Sequence, residues 1–215
     1  MAEIVSGFCA GLAQVAVGHP FDTIKVLIQN NKPWLGLSFN RYYKGWKYPS
    51  VSATFFNCTA FPVYEYSMKK TENSYISGGL AGLAVTPISF SFDVGKIKQQ
   101  TDQKVVVSDF YKTKGLTTTT MRETLAMITY FSSYNYFKEM EMHPLISGGL
   151  AGLTNWTITY PIDVVRTRQM AQNISIKEAI SRGYLWKGYS VCALRAIIVN
   201  AAIFSVYEKS KFYLK

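Results

Sequence analysis

Charge falls in short clusters along this chain, and the intervals between the clusters are long and apolar. Glu3 to Asp22 encloses 18 residues without Asp, Glu, Lys or Arg. Lys47 to Glu65 encloses 17, Glu72 to Asp93 encloses 20, and Glu141 to Asp163 encloses 21. Two further apolar stretches, 115–137 and 188–207, are interrupted near their middles, the first by Arg122-Glu123 and the second by Arg195. About 20 helical residues cross the hydrocarbon core of a bilayer. Six such segments with short connections predict an all-α membrane protein of six transmembrane helices. Any one of them alone would also fit a buried soluble helix, because Gly, Ser and Thr dilute them all; six in succession favour a membrane bundle.

The segments are copies of one another. Ser6-Gly7-x3-Gly11 recurs as Ser77-Gly78-x3-Gly82 and Ser147-Gly148-x3-Gly152. An acid-and-base cassette follows each: Pro20-Phe-Asp22-x2-Lys25-x3-Gln29, Ser91-Phe-Asp93-x2-Lys96-x-Lys98-x-Gln100, and Pro161-Ile-Asp163-x2-Arg166-x-Arg168-x-Met170. Tyr43-Lys44-Gly45, Thr113-Lys114-Gly115 and Trp186-Lys187-Gly188 form a third landmark. The fourth is Tyr64-Glu65-x2-Met68, Tyr134-Asn135-x2-Lys138 and Tyr207-Glu208-x2-Lys211. Internal periodicity outranks other signals when a fold is read from sequence. The organisation expected is three tandem two-helix repeats, 1–70, 71–142 and 143–215, forming one structural domain.

Composition refines the picture. Hydrophobic residues make up 48% and charged residues only 17%, which excludes a disordered tail and a coiled coil. The mean hydropathy of +0.05 is low for a membrane protein because it averages apolar segments with charged connections. Net charge is +10, from 23 Lys and Arg against 13 Asp and Glu. That balance admits nucleic acid, anionic lipid or an anionic solute as partner. The basic residues punctuate apolar helices instead of forming a stripe, so nucleic acid is not expected. Cys9, Cys58 and Cys192 lie in three different apolar segments, without metal-ligand spacing. His19 and His143 each precede a proline. No nucleophile motif or phosphate-cradling loop appears, so neither an enzyme, a cofactor nor a metal site is expected. The chain opens with neither a secretory signal nor an Arg-rich amphipathic presequence.

In physical terms, Gly-x3-Gly lets membrane helices approach closely, and Pro20 and Pro161 should kink their helices. An Asp and a cation three residues apart share one helix face, so pairing within each helix is the plain expectation. With three copies, pairing between helices becomes the stronger one.

The cassettes and landmarks resemble the mitochondrial carrier family, whose signature Pro-x-[Asp/Glu]-x2-[Lys/Arg]-x-[Lys/Arg] closes each odd helix. The resemblance runs from Ser6 to Lys211. It implies a threefold pseudo-symmetric bundle in the mitochondrial inner membrane, with both termini in the intermembrane space. A single mid-membrane solute site would open alternately to each side. Asp22, Lys25, Asp93, Lys96, Asp163 and Arg166 would form a matrix gate, braced by Gln29 and Gln100; Met170 fills the third brace position and cannot donate. Glu65, Lys138, Glu208 and Lys211 would form the cytoplasmic gate. Met68 and Asn135 stand where that pattern has a cation and an acid, so at most two of its three bridges survive and this gate should be weak. The connections between cassette and Lys-Gly are short for the family. Only the third, from Ser175 to Ser181, keeps a surface-helix remnant, with Ser175 and Glu178 spaced as a capping box.

Counting seven residues past each Lys-Gly glycine reaches Ser52, Arg122 and Arg195, the solute contact positions that the resemblance implies. Ionisable residues inside membrane helices default to function. An Arg fork suits a carboxylate, and Glu123 beside Arg122 suits an amine or quaternary ammonium. The plain alternative is that Arg122 and Glu123 only neutralise one another; Arg195 has no acid beside it in sequence. Met121-Arg-Glu123 and Leu194-Arg-Ala196 are similar to the carnitine, ornithine and basic amino-acid branch. Ser52, where carriers of dibasic amino acids tend to have an acid, tilts the expectation towards carnitine-like or other zwitterionic solutes. The expected function is exchange of such a solute by a monomeric protein, with membrane lipids, cardiolipin among them, as its other partners. A nucleotide carrier is the alternative within transport, and a non-transporting, carrier-derived scaffold the alternative outside it.

Overall fold

In this computed structural model the described backbone covers residues 2–196, 198 and 199, and side chains are described from residue 13 onward except at 144, 145 and 197. Among the described residues every regular element is a helix. The long helices are α1 (Ala2–Gln29), α3 (Lys47–Thr71), α4 (Ser74–Gln100), α6 (Leu116–Glu139) and α7 (Pro144–Gln172). Between them lie three short ones, α2 (Phe39–Tyr42), α5 (Asp109–Lys112) and α8 (Ile176–Ser181). Helix resumes over residues 189–196. The order long, short, long thus occurs twice in full and begins a third time.

Of the described helices, one, Ser74–Gln100, is long and apolar enough by hydropathy alone to cross a membrane. Helices α3, α6 and α7 are less apolar because polar residues fill one of their faces. Burial shows where those residues go. His19, Lys25, Gln29, Gln100, Glu123, Asp163, Arg166 and Arg168 are buried, whereas Phe55, Phe61, Tyr66, Leu80, Leu83, Met121, Leu153 and Ile158 are exposed. A polar interior inside an apolar jacket suits hydrocarbon surroundings and is costly in water.

Helix α4 packs on α3 and α6, and α6 packs on α7. The α4–α6 crossing rests on Gly78 and Gly82. A methyl group on Gly82 would lie 2.4 Å from the Thr124 Cα, and one on Gly78 would lie 2.9 Å from the Ile128 Cα. The C-terminal ends of α1, α4 and α7 converge around Val26, Phe90, Val94, Ile97, Met170 and Ala171. Met170, in the third brace position, is therefore apolar filler. Helices α1, α4 and α7 continue through Pro20, Pro87 and Pro161. Ser91, in the proline position of the second cassette, donates its hydroxyl to the Pro87 carbonyl at 2.9 Å, a back-bond that bends helices gently.

Each Lys-Gly landmark is a left-handed turn, with φ of 81° at Gly45, 130° at Gly115 and 86° at Gly188. Glycine reaches this region without steric cost. The connections differ from expectation in one respect: all three carry a short helix, not the third alone. A single turn has no apolar period to read, and tertiary contacts hold it. Asp109, the first residue of α5, accepts from the Val106 amide of the preceding turn at 2.9 Å and pairs with Lys98 at 2.7 Å. At α8 the capping box is half formed: Ser175 accepts from the Glu178 amide at 3.2 Å, while the Glu178 carboxylate turns to Arg182.

The glycine contact yields a prediction. Gly82→Ala should destabilise by about 1–3 kcal/mol because the neighbour it meets is backbone. Gly79→Ala meets only the flexible Ile128 side chain at 3.6 Å and should be neutral or slightly stabilising. Thermal unfolding midpoints in detergent check this, and equal midpoints for the two variants would refute the α4–α6 contact.

Candidate functional site

Where α1, α4 and α7 converge, their Asp and cation side chains pair between helices. Lys25 Nζ lies 2.7 Å from Asp163, Arg166 Nη1 lies 3.0 Å from Asp93, and Lys96 Nζ lies 2.8 Å from Asp22. The cations run from α1 to α7, from α7 to α4 and from α4 back to α1, a closed cycle. One contact stays within a helix, Arg166 Nη2 to Asp163 Oδ1 at 3.3 Å. Gln29 donates to Asp163 at 3.4 Å and to the Tyr160 hydroxyl at 3.3 Å. Gln100 touches no charged pair; it donates to Thr23 at 3.0 Å, and Thr23 donates to the Tyr42 carbonyl.

The cycle floors a cavity of about 520 Å³, lined by Ser52, Arg122 and Arg195 together with all six ring residues. Five cations and three carboxylates face it. Glu123 sits behind the wall, 0% exposed. It receives Arg122 Nη1 at 2.8 Å, Arg166 Nη1 at 3.1 Å and the Ser89 hydroxyl at 2.7 Å, all at Oε1. Its other oxygen, Oε2, is buried with no hydrogen-bond partner, as is the neighbouring Arg122 Nε. The two carboxylate oxygens thus differ: one is saturated by cations and the other is spare. Arg195, without an acid beside it in sequence, is paired after all, its Nε 2.7 Å from Asp22 Oδ1. That partner lies on α1, beyond the reach of any sequence window. Counting Glu123, five cations meet four carboxylates, which leaves one positive charge in excess.

Three lining residues escape the sequence reading. Trp156 stacks under two cations, Lys25 Nζ at 4.4 Å and Arg122 Cζ at 5.2 Å from its ring centroid. Ser89 bridges Glu123 and Asp93, donating to the latter at 3.4 Å. His19 bonds through Nε2 to the Lys44 carbonyl at 2.8 Å. A signal for the first two exists: Trp156 lies two turns before Asp163 and Ser89 one turn before Asp93, so helical periodicity counted back from each cassette acid reaches them.

At the other end of the bundle, Glu65 and Lys138 are both exposed, and among the described residues no ion pair joins them. Glu208 and Lys211 lie outside the described residues. Asn135, in the acid position, donates to the Tyr64 hydroxyl at 3.0 Å and to Ser74 at 3.2 Å. Tyr64 stacks on Phe131 with centroids 3.6 Å apart. At this end α3, α4 and α6 are thus joined by neutral contacts.

The family model for mitochondrial carrier proteins matches residues 141–215. The mitochondrial substrate carrier family protein S of Dictyostelium discoideum is 28% identical over 97% of this chain and 95% of its own length. The mitochondrial arginine transporter of Arabidopsis thaliana is 28% identical, covering 96% of this chain and 89% of its own. The mitochondrial basic amino acids transporter of Rattus norvegicus is 26% identical, covering 99% and 90%. The chain is similar to mitochondrial carriers over nearly its whole length, and its last third matches their family model. It is a multi-pass solute carrier of the mitochondrial inner membrane, in a family of transporters and not of enzymes. Alignment with the Dictyostelium protein spans 274 positions, and this carrier has 215 residues. The relative therefore carries internal segments that this chain lacks, in keeping with the short connections.

Buried and exposed ion pairs of this carrier should respond differently to removal of one partner. Asp163→Asn leaves Lys25 and Arg166 short of a carboxylate in the interior and should cost about 3–5 kcal/mol. Glu178→Gln breaks only an exposed pair along α8 and should cost less than about 0.5 kcal/mol. Unfolding midpoints in detergent compare them, and equal losses would contradict the buried position of Asp163.

Proposed function

We propose that this carrier exchanges a small amino-acid-class zwitterion across the inner membrane by alternating access, in a six-span bundle of three pseudo-symmetric repeats. The observation that carries the reading is a donor and an acceptor without hydrogen-bond partners, Arg122 Nε in the cavity wall, 4.0 Å from Asp163 Oδ1, and Glu123 Oε2 just behind it. A carboxylate fits the first and an ammonium the second. The single excess positive charge also favours a solute bearing a carboxylate. Relatives named for arginine and basic amino acids support this class over a nucleotide.

On this reading the ring of Asp22, Lys25, Asp93, Lys96, Asp163 and Arg166 is the matrix gate, closed here and braced by Gln29, with the cavity open towards the intermembrane space. Solute binding and gate opening are linked by competition. Because Arg166 is shared among Glu123, Asp163 and Asp93, a solute ammonium that recruits Glu123 draws on the contacts of the ring. Arg195 couples in the same way through Asp22, which it shares with Lys96. A carboxylate that takes Arg195 alters the charge balance of the Asp22 bridge. Trp156 supplies an aromatic face for a cationic group. Ser52 offers a hydroxyl in the cavity lining, where a dibasic solute would want a carboxylate. The neutral contacts at the Glu65–Lys138 end support a weak cytoplasmic gate and easy access from that side. The protein works as a monomer among lipids, each of the segments 1–70, 71–142 and 143–215 contributing one third of the bundle.

Counter-exchange in proteoliposomes tests the reading, with neutral and basic amino acids, carnitine and nucleotides offered in parallel. Saturable uptake of a zwitterion is expected. Arg122→Ala, Glu123→Ala and Arg195→Ala should each reduce it by about 100-fold or more, as loss of a buried charge partner does, while the folded protein is still recovered. Uptake confined to nucleotides, or full activity in the Arg195 variant, would overturn the binding mode. Silence across the panel from folded protein would favour a scaffold.

A further inference from the structure

Outside the buried ring, on the rim of the same end, α1, α4 and α7 are each followed by a residue in the left-handed region. They are Asn31 with φ 56°, Asp102 with φ 63° and Asn173 with φ 53°. Asn and Asp tolerate this conformation better than other side-chain-bearing residues. Each turns a side-chain oxygen to the lysine of a Lys-Gly turn in a different repeat. Lys44 Nζ reaches Asp102 at 2.5 Å, the Lys114 backbone amide donates to Asn173 at 2.9 Å, and Lys187 Nζ donates to Asn31 at 2.5 Å. Neighbouring contacts keep the same sense: Lys32 to the Thr101 carbonyl, Gln103 to the Ala171 carbonyl and Gln172 to Asn30. Two of the lysines are held from behind. His19 binds the Lys44 carbonyl, and the Tyr160 hydroxyl donates to the Lys187 carbonyl at 3.1 Å. Phe90, in the corresponding place on α4, has no donor, and there the lysine contributes its backbone instead.

The two cycles run in opposite directions. Rim donors pass from the first repeat to the second, the second to the third and the third to the first. The cations of the buried ring pass from first to third, third to second and second to first. Every seam between repeats is therefore closed by donors from both of its sides.

We propose that Asn31, Asp102 and Asn173 form an outer ring of the matrix gate, positioning residues that must release their lysines each time the carrier opens to the matrix. The proposal rests on the matrix-gate reading above. Only one seam of this ring is an ion pair. The hydrogen bond from Lys44, with Arg41 alongside, holds the Asp102 carboxyl below the usual carboxylate range, so that seam keeps its charge unless the pH falls well below neutral. All three contacts are exposed and individually weak. Their loss should ease opening without unfolding the bundle.

The test is matrix-side labelling of a full-length reporter in oriented proteoliposomes. Its native cysteines are replaced by Ser and Thr167→Cys, in the cavity wall, meets an impermeant maleimide. The triple variant Asn31→Gly, Asp102→Gly, Asn173→Gly keeps the left-handed turns and removes the acceptors. It should label about three- to tenfold faster, a range set by three weak exposed contacts, with little change in unfolding midpoint. Asn31→Asp and Asn173→Asp keep an acceptor and should label at the parent rate. Asp163→Asn, which opens the inner ring, is the control. Faster labelling in that control with an unchanged rate in the triple variant would overturn the outer ring and leave the gate reading standing. Unchanged rates in both would overturn the two together. If the triple variant does not fold, Asp102→Gly alone removes the charged seam and is read by the same outcomes.

Discussion

A carboxylate taken out of water needs a partner at close range, because several kcal/mol of lost hydration must be offset by pairing. In this carrier that requirement is met between helices. Asp163 finds Lys25 on α1, Asp93 finds Arg166 on α7, and Asp22 finds Lys96 on α4. No helix is electrostatically complete alone, so the three converge on one another. The apolar cluster at their ends, Met170 among its members, then seals the contact. The cavity above exists because the helices are drawn together below.

The same pairing leaves several partners shared. Arg166 divides itself among three carboxylates and Asp22 between two cations. A shared partner can be traded for a solute group without leaving any charge bare, which keeps the rearrangement within reach of a small ligand's binding energy. Glu123 is the hinge of this arrangement. One of its oxygens belongs to the protein's own cations, and the other is held out of water with nothing to accept from. A group in that condition costs stability, a cost compatible with a site that a solute completes.

Much was legible in the chain itself. The three cassettes, the glycine pair of α4 and the Lys-Gly turns could be read because each expresses a local rule, a periodicity or a required positive φ. Ser52, Arg122 and Arg195 were reachable by counting from Gly45, Gly115 and Gly188, and all three line the cavity. The same kind of counting back from the cassette acids would have reached Trp156 and Ser89. Hydropathy was a poorer guide, since a bundle that hides its polar side chains and exposes its apolar ones keeps a modest average along most of its helices.

What remained illegible was the choice of partner. Asp and Lys three apart on one helix satisfy the pairing rule locally; the threefold recurrence favoured pairing between helices but gave no reason to prefer one neighbouring helix over the other. That Arg195 meets Asp22 across the bundle and that Gln100 serves a threonine in place of a charge both depend on distances between elements. The same holds for Asn31 and Asp102, which face lysines from other parts of the chain. The sequence by itself determined the helices, their threefold recurrence and the residues that carry charge into the interior, because these follow from composition and spacing. Only the tertiary structure decided which charges meet and which oxygen stays free, because electrostatic energy depends on separation in space and not along the chain.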